Sequence, residues 1–151
     1  MSHIRIVVAD QAEAIFYDLS SLKARPTEVA RMSDPAAHLH SRDFSSDRPG
    51  RSYESFGKAR HAIAGENDPR HREAVKFAKE IAGKLDLDRR NKEYEQLIVV
   101  AGAPFRSLMH TELSIDTTAC IVHEVPKDLV HSPVEVLREH LPTTTQELKS
   151  A

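Results

Sequence analysis

The spacing of apolar positions changes along this chain, and each change marks an element. Residues 4–9, IRIVVA, are β-branched and nearly all apolar, the pattern of a buried strand. Asp10 and Gln11 follow as a tight turn. Residues 12–19 then alternate, with Ala14, Phe16 and Asp18 on one face and Ile15, Tyr17 and Leu19 on the other, which predicts an antiparallel return strand. Val29 and Met32 carry a third short strand over residues 27–32. At Asp68 the period lengthens to that of a helix. Asp68 suits the N-cap and Pro69 the first helical position. Behind them Ala74, Phe77, Ala78, Ile81, Ala82 and Leu85 recur at steps of three and four on one face. Gly83 predicts a weakening, with helix resuming over residues 86–93. LIVVA at 97–101 is a continuous buried strand, and Gly102 to Pro104 breaks it. Pro104 opens a short helix that runs through Met109 to Leu113. Residues 119–125, ACIVHEV, form another strand that Pro126 ends. Pro133 begins a helix with Val134, Val136, Leu137 and Leu141 inward, and Pro142 closes it.

The order is β-β-β-α-β-α-β-α. A meander followed by alternating helix and strand predicts an α/β fold, a mixed sheet with helices packed on it. By topology this is the order of ribonuclease H-like folds, an analogy of arrangement. One domain over residues 1–142 is expected, followed by a flexible tail at 143–151. Ile4, Ile6, Val8, Phe77, Ile81, Leu97, Val99, Ile121 and Val125 are the expected core. Residues 33–67 keep no period. They are rich in polar residues, Pro and Gly, yet interrupted by Phe44, Tyr53, Phe56 and Ile63. A long segment of this kind inside a compact domain is usually functional or mobile.

The chain has 151 residues, 29% charged, 40% hydrophobic and 5% aromatic, with a net charge of −2. That is enough for one core built from aliphatic side chains, and it excludes a general polyanion binder. The single cysteine, Cys120, cannot form an internal disulfide and sits in an apolar run, so it is expected buried and inert. No basic segment followed by a long apolar core opens the chain, and no apolar run reaches the length of a membrane span. A cytoplasmic location is the expectation. The nine histidines are scattered, without HExxH, CxxC or another close metal pattern. No metal or other cofactor is therefore expected, and no catalytic residue is assigned.

Local charge departs from the global balance. Arg42, Arg48, Arg51, Lys58, Arg60, Arg70 and Arg72 face five acids in the same span, a local balance of +2. Arginine forks bind phosphates, and the helix N-terminus after Asp68 adds backbone donors. Tyr53, Phe56 and His61 suit stacking on bases. The ligand or RNA-binding candidates are Arg48, Arg51, Arg60, His61, Arg70, His71 and Lys76. In Arg48-Pro49-Gly50-Arg51 a turn would hold two arginines at fixed separation. The plainer reading is a solvated loop whose arginines pair with its own acids. Asp10, ending the first strand, suggests a second class of function, a metal-dependent nuclease or phosphoesterase. That chemistry needs converging carboxylates, for which Asp18, Glu28 and Asp116 are the possible companions. A turn-forming Asp10 is the simpler account.

Four blocks carry a resemblance: SDRPGR at 46–51, DPRHREAVKFAKEIA at 68–82, LIVVAGAPFRSLM at 97–109 and EVPKDL at 124–129. Together with the opening VVAD, they resemble, in order and over nearly the whole chain, a bacterial family named host attachment protein. That family is similar to the middle domain of archaeo-eukaryotic peptide chain release factors, which is ribonuclease H-like. There a Gly-Gly-Gln loop precedes a helix similar to His71–Ala82 and reaches the peptidyl-transferase centre. The corresponding loop would fall within residues 57–70 here, and this chain has no GGQ. The resemblance thus implies a non-catalytic module binding the ribosome or structured RNA. The alternative that the family's name implies is a protein-interaction factor in attachment to host cells.

Overall fold

The computed structural model describes residues 3–36 and 68–148. The predicted meander is present as β1 (Ile4–Ala9), β2 (Glu13–Leu19) and β3 (Thr27–Ser33), antiparallel throughout. Asp10 builds its first reversal. Its Oδ1 accepts the backbone N–H groups of Ala12 at 2.8 Å and Glu13 at 2.7 Å. The chain then forms α1 (Pro69–Arg90), β4 (Gln96–Ala101), α2 (Ala103–Glu112), α3 (Ile115–Ala119), β5 (Ile121–Val125) and α4 (Val134–His140). A short 3-10 turn follows at Thr145–Glu147. β4 lies parallel to β1, and β5 parallel to β4, so one mixed sheet has the order β3-β2-β1-β4-β5. The class is α/β.

Both faces of the central strands are covered. Val7, Ala9, Phe16, Leu97, Val99 and Ala101 point to α1 and α2, where Phe77, Ile81, Leu85, Phe105 and Met109 meet them. Phe77 and Phe105 lie with ring centroids 6.2 Å apart, tying the two helices together. Ile6, Val8, Ile15, Ile98 and Val100 face the other way, onto Leu129, Val130, Leu137 and Leu141 around α4. Two-sided burial explains why β1 and β4 read as continuous apolar runs rather than alternating ones. All nine expected core residues are buried. Val134 and Val136, expected inward, are partly buried at the margin of the second core.

The structure corrects three expectations. α1 does not weaken at Gly83 but runs unbroken for 22 residues. Gly83 is exposed, while Ile81, Ala82 and Leu85 around it are buried. A helical glycine costs about 1 kcal/mol relative to alanine, less than the burial of one such side chain contributes. The last strand starts at Ile121 rather than Ala119. Residues 115–119 coil into α3 because the Ser114 hydroxyl caps them, accepting the Thr117 N–H at 3.1 Å. Cys120 is consequently the C-cap of α3 and only partly buried. Partial burial pushes its thiol up, and its Sγ donates to the Asp116 carbonyl at 3.5 Å.

Within the apolar β1 sits a charge. Arg5 is 2% exposed. Its guanidinium donates to Asp18 of β2 at 2.6 Å and to Asp88 of α1 at 2.7 Å, and it lies over the Tyr94 ring at 5.5 Å. Burial lowers the affinity of Arg5 for its proton, but the bonds to Asp18 and Asp88 outweigh it and hold the group above its ordinary value. Lys84 also reaches Asp88, at 3.2 Å. The Tyr94 hydroxyl donates to the Leu85 carbonyl at 2.7 Å, and burial raises its pKa far above the usual phenol.

Candidate functional site

The carboxyl ends of β1, β4 and β5 open on one side of the sheet, and a cleft of about 750 Å³ lies there. Four segments wall it: the turn after β1 (Asp10, Gln11, Ala12), the first turns of α1 (Asp68, Arg70, His71, Ala74), the start of α2 (Gly102, Pro104, Phe105, Leu108) and the connection after β5 (Asp128, His131). In open α/β sheets, ligands sit in the crevice outside the carboxyl ends of the strands, because loops and helix N-termini converge there. The volume lies within the range of small-molecule sites.

Two helices begin at this cleft. Asp68 caps α1, its Oδ1 accepting the Arg70 N–H at 2.9 Å, and Pro69 takes the first turn without leaving a donor unmet. α2 starts from Gly102, which has no side chain to cap it. The positive ends of both helix dipoles therefore border the same space. Each of the three acids on its walls is tied locally. Asp10 holds the β1–β2 turn, Asp68 caps α1, and Asp128 Oδ1 accepts the Val130 N–H at 3.4 Å. Arg70 reaches Asp68 at 3.6 Å, and His131, largely exposed, approaches Glu13 at 3.7 Å. The arrangement offers an apolar wall, the Arg70 guanidinium beside Asp68, two imidazoles, and carboxylates with one oxygen bound to backbone.

Of the sequence-predicted site residues, Arg70 and His71 line the cleft. Lys76 is exposed on α1 outside its lining, paired with Glu73 at 3.7 Å. Arg48, Arg51, Arg60 and His61 lie outside the described residues. The possible carboxylate companions of Asp10 are not brought to it. Asp18 pairs with Arg5, near the opposite end of β1. Glu28 lies on the edge strand β3, bonded to Arg31 at 3.0 and 3.1 Å. Asp116 is on α3, near Arg89. Among the described residues no group of three or more His, Cys, Asp or Glu is placed to hold a metal ion.

Gly102 and His131 were not candidates from the sequence. Gly102 directly follows β4 and His131 lies in the connection after β5, and that placement becomes a usable signal once those strands are known to be parallel. A second polar cluster also went unmarked. On α2, Arg106 and His110 reach Glu124 of β5 at 3.2 and 2.7 Å, bridging helix to strand. No helix among the described residues is long and apolar enough to cross a membrane. The profile of a family described as "Protein required for attachment to host cells" matches residues 5–141. No curated protein matches the chain.

Proposed function

The chain belongs to the family of proteins required for attachment to host cells, and from that premise we propose that it is a cytoplasmic, non-catalytic module binding the ribosome or structured RNA. The observation that carries this reading is the cleft at the entrance of α1, where Arg70 and His71 stand beside the starts of two helices. RNA backbones are bound by such combinations of cationic side chains and helix N-termini. The sequence adds the cations of the preceding segment, Arg48, Arg51 and Arg60, with His61 available for stacking. The relationship to release-factor middle domains and to ribonuclease H-like folds belongs to the same proposal. Its support is a β1-β2-β3 meander, two parallel crossovers and the strand order β3-β2-β1-β4-β5. The missing GGQ favours binding over peptide release.

The test is sedimentation of the full chain with purified ribosomes over a series of salt concentrations. Binding at low salt that salt removes is expected, because phosphate contacts release counterions. Sedimentation with the free protein at every salt concentration would refute ribosome binding. The family's description supports a second reading, contact with a protein partner. Ile115, 88% exposed on α3, and Leu87, half exposed on α1, are the side chains that would serve it.

A further inference from the structure

The two edges of the sheet are finished differently. At β5 the chain's own 3-10 turn lies alongside, with Nδ1 of His123 3.3 Å from the Glu147 carbonyl. β3 pairs on one side with β2, and among the described residues no backbone hydrogen bond reaches its other side. Register fixes which of its groups point outward. The Asp34 N–H bonds the Ala12 carbonyl at 2.8 Å, so by alternation Ala14 and Phe16 exchange bonds with Met32 and Ala30. Arg31, opposite Ile15, therefore turns its N–H and C=O away from β2. On the other side of β2, the Asp10 N–H bonds the Glu13 carbonyl, and the same alternation commits Tyr17 to Ile6 of β1. Glu28, opposite Tyr17, is thus the second residue with an outward backbone.

Between these two residues β3 bulges. Ala30 lies opposite Phe16 and Glu28 opposite Tyr17, which leaves Val29 as an extra residue. In a regular strand, residues three apart point to opposite faces. The bulge returns Glu28 and Arg31 to one face, where their side chains bond each other at 3.0 and 3.1 Å. Both remain largely exposed, and Val29 is one of three large apolar side chains exposed among the described residues. Charges and a bulge protect an edge strand when an incoming strand meets like charge. For one incoming strand, a second β3, the spacing does the reverse.

We propose that the β3 edge binds a second copy of this chain, the two β3 strands pairing antiparallel about a twofold axis beside Val29 and Ala30. Glu28 of each copy then stands opposite Arg31 of the other, on the same face. These residues exchange their outward backbone bonds, and their side chains close a ring of alternating charge across the axis. Val29 and Ala30 of both copies meet at its centre. The register fits because both strands carry the same extra residue, so the two five-stranded sheets become continuous. The proposal is independent of the RNA-binding reading, since β3 contributes nothing to the cleft.

The experiment is sedimentation velocity of the full chain over a concentration series, where wild type should show a reversible monomer–dimer equilibrium. Arg31→Glu sets like charges opposite each other on both sides of the axis and should weaken the dimer by about tenfold or more. Glu28→Arg should do the same. Mixing these two variants should restore association, because each then meets its opposite. The double variant Glu28→Arg/Arg31→Glu keeps the pair within the strand, and it should dimerise with itself but not with wild type. Tagged wild type should accordingly capture untagged wild type and leave the double variant in solution, an arm that stands even if the single variants unfold. Wild type that stays monomeric throughout would overturn the proposal. So would a dimer that folded Arg31→Glu leaves unchanged, or a double variant that exchanges freely with wild type.

Discussion

A guanidinium 2% exposed is held by charged neighbours on two other elements. Arg5 projects from β1 between Asp18 on β2 and Asp88 on α1, with Glu93 at 3.5 Å beyond. Desolvating such a group is costly, and its bonds offset that cost without a large net gain. Removing Arg5 is different, because Asp88, the buried partner on α1, is left without it. Arg5→Ala should therefore destabilise the fold by about 3–5 kcal/mol, read from urea unfolding. Lys84, already 3.2 Å from Asp88, is the neighbour able to soften the loss. A variant within 0.5 kcal/mol of wild type would mean that Arg5 contributes nothing to the register between β1 and α1. Little in the local pattern marks this role, since a single arginine inside IRIVVA has its partners 13 and 83 residues away.

At the scale of elements, α1 shows how packing overrides local propensity. Its apolar stripe is legible in the sequence, because a period of 3.6 residues sustained over about three turns has no other economical explanation. Its length is not. Gly83 sits on the solvent side with open space around its Cα, so nothing but intrinsic propensity acts there. Gly83→Ala should stabilise the protein by about 0.4–1 kcal/mol, chiefly by restricting the unfolded chain. A thermal melt that shifts downward would show that this helix needs the glycine. The start of β5 was misplaced by two residues for a related reason. Ala119 and Cys120 suit a strand by composition, but the Ser114 cap commits the preceding turn to helix.

At the scale of the whole molecule, charge is distributed unevenly. A chain of net charge −2 places seven cations between Arg42 and Arg72, ending at the mouth of the cleft. If RNA is the partner, replacing Arg48 and Arg51 together by alanine should weaken binding across sequences. It should also flatten the plot of log affinity against log salt by about 0.7 per lost contact on a single strand. Binding measured at four salt concentrations for both proteins decides it. An unchanged slope would remove these two arginines from the interface. A lowered melting temperature in the variant would instead mark them as parts of the scaffold.

The sequence by itself determined the order of the five strands and of α1, α2 and α4, though not α3, together with the α/β class and the nine expected core residues from Ile4 through Val125. These depend on hydrophobic period and turn chemistry, which are written locally. It also located the entrance of α1, since Asp68 and Pro69 act within one turn. Only the tertiary structure decided that Asp10, Gly102 and Asp128 share a cleft and that Asp18, Glu28 and Asp116 do not join them. Positions from 10 to 131 meet there because β1, β4 and β5 run parallel, so their carboxyl ends open on one side. Which ends come together is a property of strand pairing between segments tens of residues apart, and no local pattern encodes it.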